Sequence, residues 1–292
     1  MKKSYLYAGV AIFCWSSVAT VAKLLLGDIN STQLLWISSL LAALFLLVVN
    51  VANGKIKMLK GFKPKEYAVV ILIGLPGSLL YYMFFYAGAD LMPASQAFIV
   101  NYLWPIMSVV FACVILKERM TVKKAIAIIV SFAGVGIVTG TELVSLNGKT
   151  LTGAVLCILG AVSYGLFTAL NQRFNYDKSI SVMLTYFATF AITCVMVIAS
   201  GDLFVPKPVQ LIGFAWNGMF TVGLANTLWM MALEKGNTAK ISNLAYITPF
   251  LSLVWTSLVL KEKISINSVI GLVVIVLGIL IQLKNGKKTE TE

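Results

Sequence analysis

The sequence predicts an all-α integral membrane protein with ten transmembrane helices, arranged as two inverted five-helix repeats. Composition, a series of helix-length apolar segments and an internal echo carry that reading. Of 292 residues, 59% are hydrophobic and 12% charged, where a soluble domain carries about 25% charged residues. Water is the wrong solvent for such a chain. A bilayer core is crossed by about 20 apolar residues rising about 1.5 Å each, and ten segments have that character. Residues 102–137 are echoed 144 positions further on without a gap. Setting Pro105 over Pro249 pairs Tyr102 with Tyr246, Ser108 with Ser252, Leu116-Lys117-Glu118 with Leu260-Lys261-Glu262, Gly134 with Gly278 and Ile137 with Ile281.

The first expected span, Tyr5–Leu26, follows Lys2 and Lys3 as a secretory leader would. It is too long for a leader's apolar region, and no small-residue cleavage site precedes the second span, so it is expected to be a helix of the mature protein. Next come Ser31–Ala52, Tyr67–Ala89 (loosened by Gly74, Pro76 and Gly77), Leu91–Leu116 and Ala125–Thr141, where Gly136 and Gly140 form a small-xxx-small face expected to pack on another helix. These make the first repeat, residues 1–141. The second, residues 151–283, holds Leu151–Asn171, Ser179–Ser200, Val209–Leu233, Ile241–Leu260 and Ile264–Leu283, and residues 284–292 form a cytoplasmic tail. Proline removes a backbone donor and clashes with the turn before it. Pro105 and Pro249 thus free carbonyls near Asn101 and Ala245, which in a membrane need protein, water or a ligand to satisfy them. Pro76, Pro105 and Pro249 are the expected helix breaks or hinges.

The net charge of +12 reads as topology, because lysine and arginine concentrate in cytoplasmic loops. With the N-terminus inside, eighteen basic residues fall on the inner side, and Lys149, Lys207, Lys261 and Lys263 on the outer, with Lys23 inside the first span. Both termini are therefore expected in the cytoplasm of a multi-pass protein of the cell inner membrane. Five spans per repeat is an odd number, so the second copy enters from the opposite face. Inverted repeats characterise secondary transporters, whose substrate site lies near the midplane between the halves.

The chain has no histidine, and Asp90, Glu118, Glu234 and Glu262 all lie at span ends. A membrane proton relay needs a buried titratable group, which disfavours proton-coupled export of lipophilic cations. No GxxxxGK[ST] loop is present, which excludes driving by ATP. Cys14, Cys113, Cys157 and Cys194 lie within spans at spacings that match no metal or disulfide framework. They are expected as packing residues. No cofactor, metal or nucleic acid is expected, and no catalytic constellation points to an enzyme. The expected partners are a small-molecule substrate and the lipid bilayer, with the protein a monomer.

An amide in mid-span is costly in lipid and faces other helices or a cavity. Asn101 and Asn226 are so placed. Trp104, Pro105 and Ser108 follow Asn101 at helical spacing, and Trp229 lies three residues after Asn226. Trp15, Ala19 and Ala22 share a face of the first helix, and Tyr164, Thr168 and Asn171 one of the sixth. Trp15, Tyr82, Asn101, Trp104, Tyr164, Asn226, Trp229 and Tyr246 are the candidate substrate-binding residues, an aromatic box with a few amides. Rings stack on such walls and an ammonium sits on an aromatic face for roughly 0.5–2 kcal/mol. Asn101 and Asn226 are candidates for a substrate carboxylate, with Lys23 a further one unless it snorkels to the surface. The duller readings are interfacial belts, assigned to Tyr5, Tyr7, Tyr67 and Tyr176 near span ends, and amides that only tie helices together.

Two five-helix halves, each with a Pro-containing fourth helix, a Lys-Glu-Arg/Lys turn and a Gly-bearing last helix, resemble the drug/metabolite transporter superfamily with two EamA-type repeats, over nearly the whole chain. Within it, Asn101-Tyr102-Leu103-Trp104-Pro105 is similar to the NYLWP signature of the YddG-type aromatic amino-acid exporters. Gly236-Asn237, Tyr246, Thr248, Pro249 and Ser252 are similar to that group's GN…YxTPxLS pattern. The resemblance implies export of amino acids, aromatic or neutral, or of related small metabolites, by alternating access. A broad-specificity metabolite or drug exporter of the same fold is the alternative, and a membrane receptor or enzyme a more distant one.

Overall fold

The computed structural model describes residues 2–145, 148–174, 176–235, 241 and 244–283. The Gly236-Asn237 pair, Lys240 and the 284–292 tail lie outside them. Every regular element among the described residues is helical. They are α1 (Lys3–Leu26), α2 (Ser31–Ala52), α3 (Pro64–Leu91), α4 (Ala94–Ile115), α5 (Val122–Gly140), α6 (Gly148–Arg173), α7 (Lys178–Ser200), α8 (residues 208–235), α9 (Ala245–Val259) and α10 (Ile266–Leu283). By length and composition α1 to α7 can cross a membrane, and α9 and α10 are shorter apolar helices. The expected spans fall on these elements within a few residues. α3 starts earlier than expected because Pro64 fits a first helical turn and the Glu66 carboxylate accepts the Lys63 N–H at 2.7 Å, closing that end.

The polarity of the bundle is inside out. Val114, Val122, Ile129, Val195 and Ile212 are each at least two-thirds exposed, whereas Asn50, Ser131, Thr189, Thr193, Ser252 and Thr256 are fully buried. Lipid is as apolar as leucine, so the helices associate through close packing and hydrogen bonds. α5 against α10 shows this most strongly. A Cβ on Gly134 would meet the Gly271 carbonyl oxygen at 2.8 Å, and one on Gly271 the Gly134 carbonyl oxygen at 2.7 Å. Gly278 is as tight against Ser131 and Ala127, with 2.9 Å to the Ala127 carbonyl oxygen. The expected Gly136–Gly140 face is corrected here: nothing lies within 4 Å of either Cβ position. Helical period alone does not say which stripe of α5 meets α10.

The two copies of the sequence echo share local structure. Lys117 and Lys261 both adopt the left-handed region, at φ 58° and 57°. In each copy the following glutamate N–H reaches back to a helix carbonyl at 3.3 Å, Glu118 to Ala112 and Glu262 to Thr256. The left-handed residue just past the helix end lets the chain fold back over the last carbonyls in both copies. Pro105 is the second residue of the helix that restarts at Trp104 after a break at Tyr102-Leu103, and Pro249 is the second residue of a helix that follows a 3₁₀ turn, Ala245–Ile247. α3 and α8 also carry π-helical segments, Pro76–Leu80 and Trp216–Leu224. A shift of 144 residues lays the first onto the end of the second. Such segments recur at functional sites.

Candidate functional site

A cavity of about 350 Å³ opens between α1, α2, α3, α4, α6, α7, α8 and α9. Trp15, Tyr82, Asn101, Trp104, Tyr164, Asn226 and Trp229 stand on its wall. Tyr246 does not: it lies in the 3₁₀ turn that opens α9 and packs against the apolar core that holds Tyr102. The aromatic rings form two groups. Trp15 and Trp229 lie 5.2 Å apart on one side. On the other, Tyr164 meets Tyr81 at 4.9 Å and Trp104 edge-on at 5.1 Å, and Tyr81 meets Tyr82 at 4.7 Å. Edge-to-face rings at these separations hold one another in place.

The amides are not free as the residue pattern implied. Asn101 Oδ1 accepts from the Tyr81 hydroxyl at 2.9 Å and its Nδ2 donates to the Cys157 carbonyl at 3.2 Å, so this side chain joins α4 to α3 and α6 and fixes the orientation of Tyr81. Asn226 Nδ2 donates to the Val222 carbonyl one turn back on its own helix, at 2.7 Å. Trp15 Nε1 donates to the Thr221 carbonyl at 3.1 Å, in the π-helical part of α8 where a backbone oxygen lies off the regular ladder. Lys23 stays out of the cavity: Nζ donates to the Ala89, Asp90 and Met92 carbonyls at 2.6, 2.9 and 3.1 Å. The carbonyl freed by Pro249 has a protein partner, since the Tyr102 hydroxyl donates to Ala245 O at 2.6 Å. That bond ties the break in α4 to the 3₁₀ turn that opens α9.

Several wall residues lie outside the eight candidates read from the sequence. Gly77, Ser78 and Tyr81 reach the cavity around the π segment of α3. Tyr186, Thr185 and Lys178 come from α7, Thr248 brings a buried hydroxyl beside Tyr102, and Thr221 a buried hydroxyl without a hydrogen-bond partner. Tyr176, read as a belt residue, is on the wall near Phe174. Tyr5 is exposed, and the Tyr67 hydroxyl donates to the Leu59 carbonyl at 2.9 Å.

The two ends of the bundle differ. At the α3–α4 turn, Lys23 holds the carbonyls that end α3, while Glu262 accepts the Ala94 and Ser95 N–H groups that begin α4 at 2.7 and 3.0 Å. A cation on a helix C-terminus and an anion on an N-terminus are the pairings a helix dipole favours. Lys207 pairs with Asp28 at 3.1 Å, and Asn30 Nδ2 donates to Asp202 at 3.0 Å, joining the α1–α2 and α7–α8 connections. At the opposite end the cavity wall runs through Phe174 and Tyr176 of the α6–α7 connection, Ser179 of α7 and Val70 of α3. There Asp177 caps α7 through the Ile180 N–H at 3.0 Å and pairs with Lys55 at 2.8 Å. Burial alone would raise its pKa. Lys55 and the Ile180 and Ser179 N–H groups outweigh that and hold it below the usual carboxylate range. Glu118, the repeat mate of Glu262, is exposed and pairs with Lys124 at 2.7 Å.

Comparison with known proteins agrees with this architecture. An uncharacterised transporter of Clostridium kluyveri is 25% identical over 99% of this chain and 95% of its own. The uncharacterised transporter YyaM of Bacillus subtilis is 26% identical over 93% of this chain and 90% of its own. The aromatic amino acid exporter YddG of Ancylobacter novellus is 25% identical over 61% of this chain and 63% of its own. A solved crystal structure shares the fold over 100% of both chains with a TM-score of 0.69 at 20% identity. The profile of the EamA-like transporter family matches residues 2–140 and again 151–283, and with both halves matched this multi-pass membrane chain belongs to that family of transporters.

Proposed function

We propose that the protein is a secondary exporter of amino acids, aromatic and neutral ones among them, that works by alternating access between two inverted five-helix halves. The carrying observation is the cavity: an aromatic wall with no carboxylate among the described residues, reaching toward the α6–α7 end while the α3–α4 end is held by charged side chains. The exporter YddG of Ancylobacter novellus adds support for the substrate class. Repeats at residues 1–141 and 151–283, ten crossings and cytoplasmic termini are supported by the shared turns at Lys117 and Lys261 and by the matched breaks at Pro105 and Pro249. In that topology the α6–α7 end is the inner one, and the structure is the state loaded from the cytoplasm of a protein in the cell inner membrane.

Counterflow in proteoliposomes with a panel of labelled amino acids tests the substrate. Phenylalanine, tryptophan or tyrosine should exchange in the wild type, and Trp104→Ala should cut that exchange at least tenfold, the loss of one buried aromatic contact being worth about 1.4 kcal/mol or more. Exchange of unrelated metabolites in place of amino acids would favour the broader exporter. Topology is tested separately. In a cysteine-free background, Gly148→Cys should react with an impermeant thiol reagent added outside intact cells and Gly61→Cys should not. Both positions are open, with nothing within 4 Å of a Cβ. Outside labelling of Gly61→Cys would remove the inverted arrangement.

A further inference from the structure

Among the described residues that wall the cavity one is charged, and it is a cation: Lys178, the first residue of α7. Its Nζ donates to the backbone carbonyls of Asn171 and Phe174 and to the Asn171 amide oxygen, all uncharged acceptors at the end of α6. The adjacent carboxylate, Asp177, is taken by Lys55 at 2.8 Å and by the Ile180 N–H. Lys178 therefore places the one charge among these wall residues on the cavity, and the neighbouring Asp177, whose charge acts on it, is itself ion-paired with Lys55. One turn along the same helix face, the Ser181 hydroxyl also lines the cavity, is buried and has no hydrogen-bond partner. The N-terminal dipole of α7 adds to the same sign.

We propose that Lys178 and Ser181 form the subsite for the substrate's carboxylate, so that the transporter selects small aromatic or apolar carboxylates, zwitterions included, and rejects the corresponding amines and amides. The inference rests on the exporter reading above and names its substrate chemistry. It takes the place of Asn101 as the carboxylate ligand because Lys178 carries a charge: a carboxylate would displace one of the neutral oxygens at Asn171 and Phe174 that now take up its three donors. A carboxylate at Lys178 leaves the substrate's ring to the aromatic wall that runs from Phe174 and Tyr176 through Phe167 toward Tyr164.

A purely structural part for Lys178, as the cap of the α6 C-terminus, predicts something different. Loss of a cap weakens the fold and affects every ligand alike, whereas loss of a carboxylate ligand changes the ratio between ligands. The test is inhibition of phenylalanine counterflow in proteoliposomes by phenylalanine, 3-phenylpropionate, phenylalaninamide and phenethylamine. In the wild type the two carboxylates should compete about tenfold or more better than the amide and amine, the usual advantage of one charge-assisted hydrogen bond. Lys178→Gln should raise KM for phenylalanine about tenfold and abolish the difference between acid and amide, and Lys178→Arg should keep it. An unchanged acid-to-amide ratio in Lys178→Gln overturns the proposal, as does equal competition by all four compounds in the wild type. If no amino acid exchanges at all, the exporter reading fails. The subsite is then read from melting of the detergent-solubilised protein, where 3-phenylpropionate should stabilise wild type and not Lys178→Gln, and phenethylamine should stabilise neither. Equal stabilisation by both compounds overturns the subsite.

Discussion

Gly271→Leu should abolish recovery of folded protein, and Gly136→Leu should leave it unchanged. On α10, a Cβ at 271 would stand 2.7 Å from the Gly134 carbonyl oxygen and 3.1 Å from the Val138 nitrogen. These are backbone atoms of α5, so relief needs the two helices to move apart rather than one side chain to turn. The loss spreads along the seam, because Gly134 and Gly278 sit equally close to α10 and α5 backbone. Overpacking in a well-packed interior costs about 1–3 kcal/mol and occasionally more, and separation of a helix pair adds the contacts of Ile275, Leu272 and Val138, which are fully buried. At Gly136 nothing lies within 4 Å, and a leucine there meets lipid. Size-exclusion profiles and melting of the two variants in detergent decide the matter. A Gly271→Leu protein with a monodisperse peak and near-normal melting would mean that α5 and α10 are not held at this distance.

The same two glycine pairs show where sequence reading stops. Apolar length and composition locate the helices because lipid leaves few other options for a backbone. The breaks at Pro105 and Pro249 were legible because proline acts on its own chain, and the freed carbonyl at Ala245 is where the missing N–H leaves it. The Tyr102 hydroxyl that satisfies it comes from 143 positions away, which no local pattern announces. Asn101 illustrates the difficulty on the wall itself. Its type and depth mark it as important, but whether the amide meets substrate or protein depends on Tyr81 and Cys157, 20 and 56 positions away. The π segment in α8 contains no proline and gave no cue, although it places Thr221 on the cavity. Lys178 and Tyr176 lie beside a helix end and were read as loop charge and interfacial belt. Position relative to a span end does not tell which way such a residue faces.

The α3–α4 clamp predicts a change of accessibility on loss of one charge. Glu262→Gln keeps the size of the side chain but has one acceptor oxygen where the carboxylate uses two, on the Ala94 and Ser95 N–H groups. It also removes the anion from the positive end of α4. Hydrogen bonds to a charged group contribute about 1.5–3 kcal/mol, and partial exposure of Glu262 brings the expected loss toward about 1–2 kcal/mol. Lys23 still grips the end of α3, so the turn loosens without coming free. The population open at the α3–α4 end, the outer one in the proposed topology, should rise about tenfold. A cysteine replacing Phe98, which stands on the cavity wall one turn into α4, reports this through its reaction with an impermeant thiol reagent added from outside. The background needs Cys14, Cys113, Cys157 and Cys194 replaced, since all four are free thiols. Labelling of Phe98→Cys should be slow with Glu262 present and about tenfold faster with Glu262→Gln. Glu118→Gln is the control. Its carboxylate is exposed and bonded to Lys124, so in this conformation its loss should not speed outside labelling. Lys23→Met should act in the same direction as Glu262→Gln, because it frees the other arm of the same turn. Equal labelling rates in wild type, Glu262→Gln and Lys23→Met would reduce both residues to helix caps and place the gate elsewhere in the bundle.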